Sequence, residues 1–321
     1  MTDLKRIAKE TPGFSRCLVV THYNPDGDAI GSALATALAL EEMGKEAVVY
    51  DKDPVPKILD FLPGREKFVH EITDTGAFDA VFVVDCGQFN RVGKHIEPLL
   101  ADHPNIINID HHRTNESFGR LNMTDYAASS TGELIHRLLT EMKHPISLDV
   151  ATNLYVAVLT DTGSFQNANS TPEAFEVCAR MVRLGVDPAE MSRRVYYTQS
   201  FGRLKLNGLV LSTLQSLDGG RIVTMEVTQE MLKSTGTSLD DLEGFVEQLR
   251  TIEGAQVGVF FREDAPETYK ISMRSKGDID VSEIANENEG GGHRNAAGCT
   301  VRGPLDQVMK KLIESLKERL R

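Results

Sequence analysis

At 321 residues the chain is longer than a single hydrophobic core ordinarily grows, so two domains are expected. Its 40% hydrophobic and 26% charged residues are the balance of a packed globular protein, which excludes a disordered or fibrous chain. The formal charge of −12, from 35 Lys and Arg against 47 Asp and Glu, repels polyanions at long range and argues against coating of nucleic acid through a basic face; an anionic substrate has to be small or held by local cations.

In chain order, the N-terminal MTDLKRIAKETPGF lacks a continuous apolar run, and no stretch approaches 18 apolar residues, so a cytoplasmic protein is expected. Cys17–Thr21, Glu46–Tyr50, Ala80–Asp85 and Ile106–Asp110 are short Val- and Ile-rich runs ended by polar residues, the pattern of buried parallel strands. Helical patterns alternate with them: Ala29–Met43 ended by Gly44, Gly132–Met142 after the candidate caps Ser129, Ser130 and Thr131, then Asp149–Leu159 and Thr171–Leu184. This alternation predicts an α/β domain built on a doubly wound, mainly parallel sheet. Beyond about residue 190 the order changes to a helix near Phe201–Leu214, a strand Arg221–Val227, two helical segments, and strands Gln256–Phe261 and Tyr269–Arg274. A smaller α+β domain is expected there, closed by a helix Leu305–Leu320 whose Leu305, Val308, Met309, Leu312, Leu316 and Leu320 share one face. The expected division is 1–190, a helical connection 191–215, and 216–321. By composition the most flexible stretch is Asn286–Asn295, with Gly290, Gly291 and Gly292.

Four segments carry chemistry. In THYNPDGDAIGS, His22, Asp26 and Asp28 follow a strand and precede a helix, the place where open α/β sheets bind ligands. Two readings stand for it: a metal-binding turn, or an Asx-rich turn whose carboxylates only cap the helix. An EF-hand is excluded, because Ala29 and Ala35 stand where its Gly and Glu belong. Asp85 ends the apolar strand AVFVVD; Asp110, His111 and His112 follow the strand IINID; Asp161 ends an apolar element before Thr162, Gly163 and Ser164. Acids and imidazoles delivered to one sheet edge by several strands point to a site rather than to scattered surface residues. Four carboxylates and two imidazoles suit Mn²⁺ or a similar first-row ion better than structural zinc, and six ligands suffice for two ions sharing one carboxylate.

The four cysteines, Cys17, Cys86, Cys178 and Cys299, lie too far apart for a zinc ribbon or redox motif and read as reduced thiols. Gly44-Lys45 and Gly93-Lys94 lack the glycine that a P-loop places five positions ahead, and no dinucleotide fingerprint appears, so ATP and NAD are not implied.

HYNPDGDAIGS, VVDCG, IDHHRTN and TDTGSF, with KISMRSKGDIDVSEIANENEGGGHRNAAGCTV downstream, resemble the DHH phosphoesterases, and within them the DHH–DHHA1 proteins of the nanoRNase / pAp phosphatase type. The resemblance implies a DHH dimetal domain and a DHHA1 substrate-binding domain. It implies His22, Asp26 and Asp85 on one manganese, Asp28, Asp85, His111 and Asp161 on the other, and Asp85, Asp110 and His112 as catalytic residues, His112 facing the substrate phosphate. Arg274, His293, Gly291 and Gly292 match positions that hold the nucleotide end, joined by Arg262, Ser272, Lys276 and Asn295. The implied reaction is Mn²⁺-dependent hydrolysis, by two-metal-activated water, of very short RNA to 5′-mononucleotides or of 3′-phosphoadenosine 5′-phosphate (pAp) to AMP. A pApA hydrolase and a non-catalytic nucleotide-binding regulator are the alternatives. The implied partners are short oligonucleotides or pAp-type nucleotides, without membrane or long duplex, and a homodimer is compatible with the resemblance. One departure stands out: many family members carry Phe-Gly before GGGH, whereas this chain carries Asn288-Glu289.

Overall fold

Small residues, rather than large ones, bring the site-forming helices of the first unit together. The computed structural model describes residues 3–242 and 244–320, which divide into two units at Thr198/Gln199. In chain order the first unit runs α1 (Leu4–Glu10), β1 (Arg16–Val20), α2 (Gly27–Glu42), β2 (Glu46–Tyr50), β3 (Phe68–Val69), β4 (Ala80–Val84), α3 (Glu97–Leu100), β5 (Ile106–Asp110), β6 (Leu121–Thr124), α4 (Thr131–Glu141), α5 (Leu148–Asp161), α6 (Pro172–Arg183) and α7 (Pro188–Tyr196).

Its sheet is parallel throughout, in the order β3-β2-β1-β4-β5-β6. The chain leaves β1 toward β2 on one side and returns to β4 on the other, so the sheet's switch point lies between β1 and β4, where open α/β sheets form their ligand crevice. One face of the sheet packs with α2, α4, α5 and α6 in the largest core, built from residues such as Val19, Leu34, Phe82, Ile109, Leu138 and Leu154. The other face is covered by a smaller cluster that includes Leu18, Val83, Ile96 and Leu100.

The helix α2, GDAIGSALATALALEE, lies antiparallel against α5 at close range. A Cβ on Gly31 would stand 2.6 Å from the Asn153 carbonyl oxygen, and one on Gly27 would stand 2.4 Å from Thr160 Oγ1. Only glycine permits this approach, and it sets the start of α2, with Asp28, beside the end of α5, with Asp161.

The second unit contains α8 (Phe201–Leu211), β7 (Gln215–Leu217), β8 (Ile222–Val227), α9 (Gln229–Thr235), α10 (Phe245–Gln248), β9 (Val257–Ala265), β10 (Thr268–Ser275), α11 (Ser282–Glu287), β11 (Gly291–His293), β12 (Ala296–Arg302) and α12 (Leu305–Arg319). Its mixed sheet is ordered β11-β12-β10-β9-β8-β7, antiparallel except for the β8–β9 pair. α11 and α12 cover one face over Val259, Phe261, Ile271 and Met273, with Val308, Leu312, Ile313 and Leu316 of α12 buried. Part of the other face, around Val223, Met225 and Phe260, packs with α8, α9 and α10.

The glycine-rich stretch 286–295 departs from its compositional reading as a flexible loop. Gly291–His293 pairs with β12, because residues without a Cβ let the two backbones close: a Cβ on Gly292 would stand 2.6 Å from the Ala296 carbonyl oxygen. The four cysteines are free and buried, and among the described residues no helix is long and apolar enough to cross a membrane.

Candidate metal centre

Three neighbouring strands and two helices end at one edge. His22 stands two residues beyond β1, 4% exposed, and Asp26 begins α2. Asp26 does cap the helix: its Oδ1 accepts from the N–H groups of Asp28 and Ala29, both at 3.1 Å. Such a cap contributes about 1 kcal/mol and uses one oxygen only, so capping and ligation are compatible. Asp28 is no cap for its own helix. Its Oδ2 accepts from Thr131 N–H at 2.7 Å, and its Oδ1 from Gly132 N–H at 3.0 Å and the Ser32 hydroxyl at 2.9 Å. The N-terminus of α4, with its unpaired N–H groups and positive dipole end, therefore grips a buried carboxylate from α2.

Asp85 follows β4 in left-handed backbone, φ 56°, while its N–H still donates to the Ile109 carbonyl at 3.0 Å. A non-glycine residue in this region costs on the order of 1–3 kcal/mol and persists only where its surroundings enforce it. The twist turns the carboxylate, 1% exposed, into the edge, where its two oxygens face different groups. Oδ2 lies 3.6 Å from His22 Nε2, whereas Oδ1 lies 3.7 Å from His111 Nε2 and accepts from Thr131 Oγ1 at 2.9 Å.

His111 and His112 leave β5 in different directions. His111 Nε2 points inward, 3.8 Å from Asp28 Oδ2 and 3.7 Å from Asp161 Oδ2. His112 is tied by Nδ1 to Asp110 Oδ1 at 2.7 Å. Asp110 Oδ2 in turn accepts from Asn115 Nδ2 at 2.6 Å; Asn115 also donates to Asn108 Oδ1 at 2.8 Å, and Asn108 donates to the carbonyls of Val83 and Cys86. This chain anchors the His112 ring to the β4 backbone. Asp161 ends α5, and its Oδ2 accepts from Asn169 Nδ2 at 2.8 Å.

Sequence reasoning placed His22, Asp26, Asp28, Asp85, His111 and Asp161 at one edge, and the structure gathers them. His22, Asp26 and Asp85 form one group of converging donors, Asp28, His111 and Asp161 a second, and Asp85, His111 and His112 a third. The residues that hold these donors do not announce themselves in the sequence: Thr131 reads only as a candidate cap, Ser32 and Asn115 close two of the motifs, and Asn169 follows a third. Ser32, Asn115 and Asn169 serve carboxylates only four, five and eight positions away, so nearness to the motifs is their signal, whereas Thr131 serves carboxylates 103 and 46 positions away and has none.

The donor set fits a divalent cation. His22 Nδ1 donates to the Tyr23 carbonyl at 2.9 Å and His111 Nδ1 to the Ala128 carbonyl at 3.3 Å, which leaves both Nε2 atoms facing the carboxylates. An imidazole anchored by one nitrogen with the other bare is how proteins present histidine to a metal. Separations of 3.6–3.8 Å are too long for hydrogen bonds. The electrostatics agree. Burial, with Asp85 nearby, pushes the Asp28 carboxyl well above the ordinary range, and burial raises Asp161 to about 6. Burial alone would raise Asp85 too, but contact with His22 and the charges of His111 and His112 hold it below the usual carboxylate range. The hydrogen bond to Asp110 lifts His112 to about 9.

The description "DHH family, N-terminal domain" matches residues 16–158, and "DHHA1 domain" matches residues 219–321. A curated relative from Thermus thermophilus, named bifunctional oligoribonuclease and PAP phosphatase, is 35% identical over 94% of this chain and 89% of its own length. The chain belongs to the DHH–DHHA1 phosphoesterase family. A Bacillus subtilis relative with the same description is 27% identical over 92% of the chain and 93% of its own length. The crystal structure of an exopolyphosphatase-related protein from Bacteroides fragilis superposes with a TM-score of 0.88 at 30% identity, covering 98% of this chain and 95% of that one. As a member of the family this protein is an enzyme of the phosphoesterase class.

In the DHHA1 unit, strand register decides which candidate residues share a face. Ser272 pairs with Phe260 and Gly298, Arg274 with Gly258 and Ala296, and Lys270 with Arg262. Gly291 pairs with Gly298, and His293 with Ala296. Since paired residues point the same way and alternate residues share a face, Arg262, Ser272, Arg274, Gly291 and His293 lie on one face of the sheet, opposite α11 and α12. Two of these cations already have partners: Arg274 Nε donates to Glu247 Oε1 at 2.6 Å, and Arg262 forms a fork with Asp264 at 2.6 and 3.0 Å. Asn295 stands apart, its side-chain N–H groups donating to Ser275 Oγ and the Gly277 and Ile279 carbonyls; Lys276 Nζ donates to the Ile252 carbonyl. Gly292 has a structural reason in its close approach to β12, whereas a Cβ on Gly291 would meet only ordinary contact. Glu289 adopts left-handed backbone, φ 57°, at the position where many family members place the glycine of Phe-Gly.

Proposed function

We propose that this phosphoesterase hydrolyses very short RNA to 5′-mononucleotides and pAp to AMP, at a centre holding two Mn²⁺ ions. The observation that carries the reading is the split carboxylate of Asp85, one oxygen toward His22 and the other toward His111, as expected of a ligand shared between two ions. His22, Asp26 and Asp85 would hold one ion, and Asp28, Asp85, His111 and Asp161 the other. Such a pair lowers the pKa of water and neutralises charge on the phosphoryl oxygens. The Thermus and Bacillus relatives, named for both activities, support the choice of substrates.

The chain's own residues supply the rest. His112, locked by Asp110 and shifted by that hydrogen bond toward its charged form, presents Nε2–H to a phosphoryl oxygen and gains strength as negative charge develops there. The Asn108–Asn115 chain holds Asp110 so that the His112 ring is not reoriented during the reaction. Substrate binding falls to the sheet face of Arg262, Ser272, Arg274, Gly291 and His293, with Gly292 and Asn295 shaping the turn, and a nucleotide phosphate competes with Glu247 for Arg274. No broad basic groove is needed for a substrate of two or three nucleotides, in keeping with the net charge of −12.

The experiment is parallel hydrolysis of pAp, a 5′-labelled diribonucleotide and pyrophosphate with Mn²⁺, with Asp85→Ala as the blank. Release of AMP and mononucleotides, lost in the variant, is expected. Turnover of pyrophosphate alone, or of none of the three, overturns the reading.

A further inference from the structure

Tyr23 follows the metal-ligand candidate His22, yet its side chain is 44% exposed. The backbone that carries this ring is pinned by hydrogen bonds on both sides. Its N–H donates to the Arg91 carbonyl at 2.9 Å, and its carbonyl accepts from His22 Nδ1 at 2.9 Å. The next residue, Asn24, is in left-handed backbone at φ 52°, and its N–H is held by Asp53 Oδ2 at 2.7 Å. Asp53 is itself held, its N–H donating to Asp51 Oδ1 at 2.8 Å.

The Arg91 guanidinium carbon lies 5.3 Å from the Tyr23 ring centroid. Among the described residues Arg91 has no carboxylate partner; its Nη2 lies 3.3 Å from His22 Nδ1, a nitrogen whose proton is already given to the Tyr23 carbonyl. A rigid aromatic ring backed by an unneutralised guanidinium, one residue from a metal ligand, is the composition of a stacking platform for nucleobases. Neither group is needed to hold an ion, and Tyr23 contributes little to any core.

We propose that Tyr23, backed by Arg91, stacks the nucleobase of the nucleotide whose phosphate lies at the metal centre. The proposal rests on the reading that this centre cleaves nucleotide phosphoesters. Stacking on an aromatic side chain is worth about 1–3 kcal/mol per base, a factor of about 5–150 in affinity, and tolerates any base because each presents a π face. The subsite thus favours substrates that carry a base beside the reacting phosphate over phosphoesters of the same charge without one.

The test compares wild type, Tyr23→Phe and Tyr23→Leu on pAp and on its base-free analogue, ribose 3,5-bisphosphate, with Mn²⁺ affinity measured alongside. For Tyr23→Leu the preference for pAp over the base-free compound, as a ratio of KM values, falls about tenfold, and Tyr23→Phe restores it. A second readout is independent of turnover: the fluorescence of 2-aminopurine riboside 3′,5′-bisphosphate is quenched on binding to wild type and to Tyr23→Phe, and not with Tyr23→Leu. If turnover of nucleotides is absent in wild type, the functional reading fails while the quenching experiment still decides the subsite. An unchanged KM ratio together with equal quenching in all three proteins overturns the proposal, as does a loss in Tyr23→Leu that tracks weakened Mn²⁺ binding.

Discussion

The Thr131 hydroxyl donates to Asp85 Oδ1 at 2.9 Å, joining the first turn of α4 to the carboxylate that follows β4. Both residues are buried, and the backbone N–H of Thr131 simultaneously serves Asp28. A single residue outside the donor groups thus fixes one carboxylate from each of two motifs. Thr131→Val keeps the shape and the backbone bond but removes the hydroxyl. Loss of an outer hydrogen bond to a metal ligand typically costs 10–100-fold, so Mn²⁺ affinity and kcat/KM are expected to fall by about that factor, with Thr131→Ser recovering most of it. A metal titration of the three proteins checks this; equal affinities would remove Thr131 from the centre.

A carboxyl whose pKa is raised at the centre destabilises the metal-free protein at neutral pH. Asp161, raised by burial to about 6, binds a proton more tightly in the native state than unfolded, so its effect turns unfavourable as pH rises from the ordinary carboxylate range through about 6. Asp161→Asn is therefore expected to stabilise the metal-free protein at pH 7.5 by on the order of 2 kcal/mol, the gain shrinking toward pH 4. With Mn²⁺ present the order reverses, since wild type gains more from the ion. Denaturant titrations with EDTA and with Mn²⁺ at both pH values measure each part.

His136 on α4 is held neutral. Burial first, and then the charge of Arg180, whose Nη1 lies 3.3 Å from His136 Nε2, depress its pKa to about 4. Above about pH 6.5 it is neutral folded and unfolded and contributes nothing. Between about 6.5 and 4 the unfolded chain takes up a proton that the native state refuses, so stability falls as pH falls. His136→Gln removes this loss. Its stability relative to wild type is expected to be more favourable at pH 5 than at pH 7.5, in metal-free protein measured by urea unfolding; a constant difference would show that His136 does not titrate this way.

Glu289 combines left-handed backbone with a negative charge beside the glycine run. Glycine relieves about 1–2 kcal/mol of strain in that conformation and returns about 0.4–1 kcal/mol to the unfolded chain's freedom, a net gain of about 0.5–1 kcal/mol. Glu289→Gly is expected to raise Tm and to lower KM for pAp, because a repelling carboxylate is lost. Unchanged KM would separate this turn from the substrate.

Much of the centre is legible because parallel strands write their ends plainly. β1, β4 and β5 are apolar runs that stop abruptly, and the polar residues that follow them, His22, Asp85 and His111, face the crevice at the switch point. The segment around Asp26 and Asp28 stayed ambiguous for a physical reason: a carboxylate that caps a helix and one that binds a cation carry the same local signature, and here Asp26 has the geometry for both. β11 and β12 carry no strand signal, and β11 lies in a stretch whose composition reads as a loop, because GGH and AAGCTVR have little β-branched content. Their pairing depends on a neighbouring strand that tolerates no Cβ.

The sequence by itself determined the fold class, the edge at which the chemistry gathers and the residue types that carry it, since these follow from local hydrophobic period and from what ends each run. Only the tertiary structure decided that Thr131 grips Asp28 from 103 positions away, that Asp85 divides its oxygens between two histidines, and that five candidate residues of the DHHA1 unit share one face of a sheet. Such pairings arise where packing brings distant backbone N–H groups and side chains together around a buried charge, and no local pattern records them.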